Sequence, residues 1–377
     1  MKKLENGFFK LVGDFLEGSI HHGGNIEQVA TQLNIPVEEL KDFSANINPL
    51  GFPSDLWNVL VQSFANIEVY PNPEYPELKA AIASHFNVNN DDVFVGNGAS
   101  EILDETIRAE KATDALVLAP TFGEYERLFS RIRIKVHHYQ LHEENNFLCD
   151  IPTMIEQLKA HREITIICLA SPNNPTGQII APKDLRNLVN FCNQHHRLLI
   201  LDEAFIDLTV NEQESFINEL EPEDNVYIIR AATKFFAIPG LRLGYCITKN
   251  EKLKKLLKVQ ENTWSVNGIA DVFGQNMFRA KKYIKLTHDW LNVQQPVLYQ
   301  VLQKISEIKV FPSTTNFFLF KSNDLALREK MIRRHILIRQ CDDYVGLGPH
   351  YYRVAVKGPQ DNVLLVKTLK QVLGRES

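Results

Sequence analysis

The sequence predicts an α/β protein, with a mainly parallel sheet covered by helices and a smaller α+β portion attached. Three observations predict it. Between about residues 90 and 250, short β-branched runs alternate with amphipathic helical stretches. After residue 250 that alternation stops and a long helical stretch precedes the next strands. The composition, 44% hydrophobic and 23% charged over 377 residues, supplies apolar material for a large core and two domains.

Taken in order, the first 66 residues carry few strand signals and several turn signals, "HHGGN" and "NINPLGFP" among them, and are assigned to the smaller domain or to an arm over the cleft. The runs "DDVFVGN", "ALVLAP", "ITIICLA", "LLILDEAF", "NVYIIRAA" and "LGYCIT" read as strands. Between several of them, "GEYERLFSRI", "TMIEQLKAH" and "KDLRNLVNFCNQ" place apolar residues at helical spacing. The later part predicts one long helical stretch from "EKLKKLLKVQ" through "VFGQNMFRAKKYIKLTHDW", then strands at "TNFFLF", "HILIRQC" and "YYRVAVK". The expected division is a large domain over 67–260 and a smaller one built from 1–66 and 261–377. No internal repeat or low-complexity segment is evident.

The formal net charge of -5 supplies no basic field for nucleic acid, so no nucleic-acid partner is expected. Five scattered cysteines (Cys149, Cys168, Cys192, Cys246, Cys341), several inside apolar runs, point to a reducing compartment. The N-terminal stretch is interrupted by Glu5, Asp14 and Glu17 and lacks the unbroken apolar run of a secretory signal. No segment approaches the roughly 20 apolar residues of a membrane span. The expectation is a cytoplasmic enzyme acting on small molecules, without a metal site.

Ligands of open α/β sheets bind at the carboxyl ends of the strands. There the chain places "GNGASE", "PTFGEY", "SPNNPTG", Asp202 at the close of "LLIL", and Lys234 after "YIIRAA". Each has an ordinary structural reading: a turn, a helix cap, a core aromatic, or a lysine whose amine reaches water.

In combination they carry a resemblance. "SPNNPTG", then "LDEAF" with Asp202 28 residues after Asn174, then "TKFFAIPGLRLGY" with Lys234 32 residues after Asp202, resemble the fold-type I pyridoxal-phosphate enzymes of the aminotransferase family. The resemblance implies a mainly parallel seven-stranded sheet in the large domain and pyridoxal 5'-phosphate as cofactor. It implies that Lys234 carries the cofactor covalently and that Asp202 keeps the pyridine nitrogen protonated. Asn174 would bond the ring hydroxyl and Phe122 would stack on the ring. The cofactor phosphate would sit over Gly98, Ala99 and Ser100 at a helix N-terminus, joined by Thr233 and Arg242. Tyr70 would reach the neighbouring subunit's cofactor phosphate, making a homodimer with a shared active site. Two positions depart from the family pattern. Ala231 lacks a serine hydroxyl that contacts the phosphate, and Phe205 stands where a tyrosine bonds the ring oxygen.

A narrower likeness lies in "HGGN", "DFSANINPLG", "TWSVN", "ILIRQC" and "YYRVAV", which are similar to the threonine-phosphate decarboxylases, relatives of histidinol-phosphate aminotransferases. That likeness implies a small phosphorylated amino acid as substrate. Arg353 would grip its carboxylate, while Arg339, His22, Gly23 and Asn46 would hold its phosphate; Asn174 would face both substrate and cofactor. The expected reaction is decarboxylation of L-threonine O-3-phosphate, or of L-serine O-phosphate. The competing readings are a histidinol-phosphate-type aminotransferase and a catalytically silent cofactor-binding regulator.

Overall fold

The computed structural model describes residue 24 and residues 26–213 and 215–374. Its strands, in chain order, are β1 (Lys41–Asp42), β2 (Val93–Gly96), β3 (Asp114–Ala119), β4 (Lys135–Gln140), β5 (Ile164–Ala170), β6 (Leu198–Asp202), β7 (Val226–Ala231), β8 (Gly244–Ile247), β9 (Ile308–Val310), β10 (Phe317–Ser322), β11 (Ile336–Leu337), β12 (Arg339–Gln340) and β13 (Tyr351–Ala355). The central sheet has seven strands in the order β2-β8-β7-β6-β5-β3-β4. Every pair from β7 across to β4 is parallel, and β8 alone runs against both its neighbours.

Residues of β2, β7 and β8 are buried throughout, as expected of strands covered on both faces. Successive side chains of the inner strands feed two separate cores. Ile167, Leu169, Leu199 and Leu201 pack into one, and Ile166, Cys168 and Ile200 into the other. The edge strand β4 is the one the hydrophobic pattern misses. Its sequence, "KVHHYQ", is polar and only partly buried, and His137 pairs with Asp114 Oδ1 of β3 at 2.7 Å.

The second sheet is antiparallel, in the order β12-β13-β10-β9. "HILIRQC" does not form one strand. Ile336 and Leu337 pair in parallel with Lys41 and Asp42, whereas Arg339 and Gln340 join β13. Phe43 joins the two arrangements: its N–H donates to the Leu337 carbonyl at 2.8 Å, and its own carbonyl accepts from Ala355 N–H at 2.8 Å. The long helical stretch is likewise divided, into helices Glu251–Lys258, Gly268–Asn276 and Lys281–Leu302. Trp264 adopts a left-handed backbone (φ 59°), and Asn267 starts the next helix by accepting from Ala270 N–H at 2.9 Å. No helix among the described residues is long and apolar enough to cross a membrane.

Candidate active site

A cavity of 440 Å³ opens where the carboxyl ends of the parallel strands face the antiparallel sheet. Ala170, Asp202 and Ala231, the last residues of β5, β6 and β7, line one side. Arg339 and Arg353, from β12 and β13, line the other.

Lys234 sits in the single turn Ala232–Phe235 that follows β7. Asn48 fixes this turn from a distance in sequence. Its N–H donates to the Lys234 carbonyl at 3.1 Å, and its amide donates to the Phe235 carbonyl and Thr287 Oγ1, both at 2.8 Å. Burial, with the charges of Arg353 and Arg242 adding to it, pushes the Lys234 amine down to about 8. The amine is therefore far more often neutral, and nucleophilic, than that of an ordinary lysine.

Asp202 ends β6 with its carboxylate held on both oxygens. Oδ2 accepts from the Tyr125 hydroxyl at 2.7 Å and Oδ1 from Ala204 N–H at 2.8 Å. Burial raises the Asp202 pKa, and these two bonds work against that rise. Phe122 lines the same cavity and meets Tyr125 edge-on at 5.7 Å. Phe205 lines it too, packed against Phe317. The hydroxyl near Asp202 thus comes from Tyr125, on the helix Glu124–Arg131, and not from position 205.

At the other end of the cavity, the helix Ala99–Ala109 begins with Ala99 and Ser100 on the wall. The first N–H groups of a helix have no intrahelical acceptor and favour an anion. Gly98 precedes them at φ 83°, and a Cβ there would stand 2.4 Å from Arg242 Nη2. A Cβ on Gly244 would stand 2.3 Å from Ala99 N. Both glycines therefore let the guanidinium and the helix start close on one another. Thr233 and Ala231 also face this region.

The opposite wall holds two buried arginines. Arg339 and Arg353 are direct cross-strand partners of β12 and β13, so their side chains emerge side by side on one face. Arg353 donates to the Ser44 carbonyl at 2.7 Å and to Asn174 Oδ1, while the Tyr344 hydroxyl also donates to Asn174 Oδ1, at 3.2 Å. With its amide oxygen turned inward, Asn46 accepts from Arg353 Nε at 3.3 Å and Nη1 at 3.2 Å. No carboxylate among the described residues pairs with Arg353. Arg339 differs: Nη2 meets both oxygens of Asp343, at 2.7 and 2.6 Å.

His22 and Gly23 lie outside the described residues. Gly24 lines the cavity, and its N–H donates to Ser44 Oγ at 3.1 Å. Tyr70 is not on the wall of its own chain's cavity; it is exposed and stacked on Trp264 at 4.6 Å. Sequence reasoning passed over Tyr125, Asn48, Asp343 and Tyr344. The only sequence signals were a tyrosine three residues after Phe122, an asparagine in "SANINPLG", and acidic residues directly after "ILIRQC".

These surroundings suit pyridoxal phosphate. Four cationic side chains and one carboxylate line the cavity, and one of the four is the Lys234 amine, whose pKa is pushed down to about 8. Comparison with known proteins agrees. The model of the family "Aminotransferase class I and II" matches residues 38–366, and the chain belongs to that family of pyridoxal-phosphate enzymes. Within it, the chain is 34% identical to a threonine-phosphate decarboxylase of Salmonella typhimurium, over 93% of this chain and 96% of the relative. It is also 31% identical to the solved histidinol-phosphate aminotransferase of Clostridium acetobutylicum, covering 88% of this chain and 99% of that one, with a TM-score of 0.83. An L-threonine-O-3-phosphate decarboxylase from Porphyromonas gingivalis shares the fold at 23% identity and a TM-score of 0.77, over 88% of this chain and 98% of that one.

Proposed function

We propose that this chain decarboxylates a small phosphorylated amino acid, L-threonine O-3-phosphate, releasing (R)-1-aminopropan-2-ol O-phosphate for cobamide biosynthesis. L-serine O-phosphate, lacking one methyl group, is the nearest substitute; a methyl is worth about 1–3 kcal/mol of discrimination. The observation that carries this reading is the cross-strand pair Arg339 and Arg353. Like charges directly opposite one another destabilise a sheet, and here both are buried on one cavity wall. A ligand bearing two anionic groups a few bonds apart offers Arg353 the counter-charge it lacks and can take Arg339 over from Asp343, and a phospho-amino acid is such a ligand. The Salmonella relative, a threonine-phosphate decarboxylase, supports the same substrate.

Bound pyridoxal phosphate supplies an electron sink for the pair left on the substrate α-carbon when a bond there breaks. The chain's own groups decide which bond that is. Arg353 would take the carboxylate with its planar fork and Arg339 the distal phosphate, and holding both groups would favour breakage of the bond to the carboxylate. Asp202, held by Tyr125 and Ala204, would accept a charge-assisted bond from the protonated ring nitrogen of the cofactor. Asn174 lines the cavity and accepts from Arg353, and it would also bond the ring hydroxyl of the cofactor. Lys234, on the wall of the same cavity, would hold the cofactor and deliver a proton to the α-carbon through Nζ.

Side chains of Trp57, Val61, Phe64, Ile67, Val69 and Tyr70 are exposed together, and we assign this apolar surface to a homodimer in which Tyr70 enters the partner's site. Five free cysteines, four of them buried, go with a cytoplasmic setting. The rival reaction is amino transfer, favoured by the 31% identity to a histidinol-phosphate aminotransferase. Incubating purified holoenzyme with each phospho-amino acid, with and without 2-oxoglutarate, separates the two. Carbon dioxide release independent of the keto acid is expected, and glutamate formation without carbon dioxide contradicts it.

A further inference from the structure

The two cavity arginines are not equivalent. Arg353 meets only neutral acceptors, whereas Arg339 is held bidentately by Asp343 and also donates to the Gln340 carbonyl at 2.5 Å. The Arg339 side chain is 6% exposed and that of Asp343 34% exposed, so the carboxylate can swing to water while the guanidinium stays in the wall. Tyr344, the next residue, carries the Arg339 guanidinium on its ring at 5.4 Å and bonds Asn174 with its hydroxyl.

We propose that Asp343 is a specificity-determining counter-charge, which occupies Arg339 until a phosphate dianion displaces it and which a carboxylate cannot displace. This rests on the reading of the substrate as a phosphorylated amino acid and says how the site enforces it. A carboxylate on a ligand offers Arg339 the same charge and fork geometry that Asp343 already provides. Asp343 also has the advantage of being tethered four residues away. A phosphate carries about -1.5 to -2 charges at pH 7 and three acceptor oxygens, which tips the exchange. A second buried guanidinium, Arg328, has its pKa lowered by burial and, after that, by the charge of Arg339, so another cation remains in this region once Asp343 leaves. Phospho-amino acids are thereby selected over aspartate and glutamate, whose side-chain carboxylate would otherwise suit an open arginine.

The test uses full-length holoenzyme and inorganic phosphate as the probe, measured by calorimetry. Asp343→Asn should tighten phosphate binding by about tenfold, and Arg339→Gln should abolish it. With L-threonine O-3-phosphate, Asp343→Asn should lower KM by a similar factor with the effect on KM rather than kcat. L-aspartate should become a markedly better competitive inhibitor. Asp343→Glu should restore discrimination, and Asp343→Ser repeats the charge removal if Asp343→Asn is unstable. Phosphate binding that is unchanged or weaker in both neutral variants overturns the proposal. Should phosphate bind tighter while the wild-type enzyme decarboxylates no phospho-amino acid, Asp343 keeps its role and the reaction assignment falls instead.

Discussion

The two sides of the cavity solve different electrostatic problems. On the parallel-sheet side, the charged groups other than Lys234 rest on neutral companions: Asp202 has Tyr125 and Ala204, and Arg242 donates to the Pro239 carbonyl at 3.3 Å. On the antiparallel side, two guanidiniums emerge together, one facing neutral oxygens and the other facing a carboxylate that is a third exposed. On the function proposed above, the first side would hold the cofactor and the second would exchange its partners with each substrate, and that difference tells which substitutions should abolish chemistry and which should redirect it.

The largest effect is expected on the cofactor side. Lys234→Ala should reduce carbon dioxide release by at least about 10³-fold, and borohydride should no longer fix the cofactor to the chain. Arg353→Gln breaks the other side and should lower kcat/KM by about 10²- to 10³-fold, mainly through substrate binding, the size usual for an unpaired buried charge contact. If Arg353→Gln costs less than Arg339→Gln, the two arginines have been assigned the wrong way round.

A subtler perturbation sharpens the fixed side. Tyr125→Phe removes one neutral-to-charged hydrogen bond from Asp202 and should cost about tenfold in activity, corresponding to ~1.4 kcal/mol. The loss of that bond lets the burial effect raise the Asp202 pKa further, so the acid limb of the pH–rate profile should move upward. The smallest effect concerns pH and the free amine. Because the Lys234 pKa is pushed down to about 8, the neutral fraction rises tenfold per unit below that pH and levels off above it. The rate at which apoenzyme captures pyridoxal phosphate should follow this curve, whereas an ordinary lysine would still be gaining well above pH 9.

Much of the fold is legible in the sequence because the inner strands are apolar on both faces: "ITIICLA" and "LLIL" admit few other readings. The edge strand "KVHHYQ" is not legible, since a strand covered on one side needs no apolar run and its hydrogen bonds to β3 are set by tertiary structure. "HILIRQC" looks continuous because nothing local marks Ile338 as the place where the chain leaves β1 for β13. In the site, Asp202 and Lys234 can be picked out by position at strand ends. Tyr125 and Asn48 cannot: one reaches 77 residues forward to Asp202, the other 187 residues to Phe235. Asp343 is invisible for another reason, since an acidic residue in a turn reads as solvated surface until its distance to a buried arginine is known.

The most direct test of the central claim follows the substrate α-hydrogen in heavy water. Turnover of ordinary L-threonine O-3-phosphate by the holoenzyme should yield 1-aminopropan-2-ol O-phosphate whose carbon beside the amine keeps its original hydrogen and gains one deuterium, seen by proton NMR. Loss of the α-hydrogen with the carboxylate still attached would show that the two arginines turn a different bond upright, and that this site carries out amino transfer.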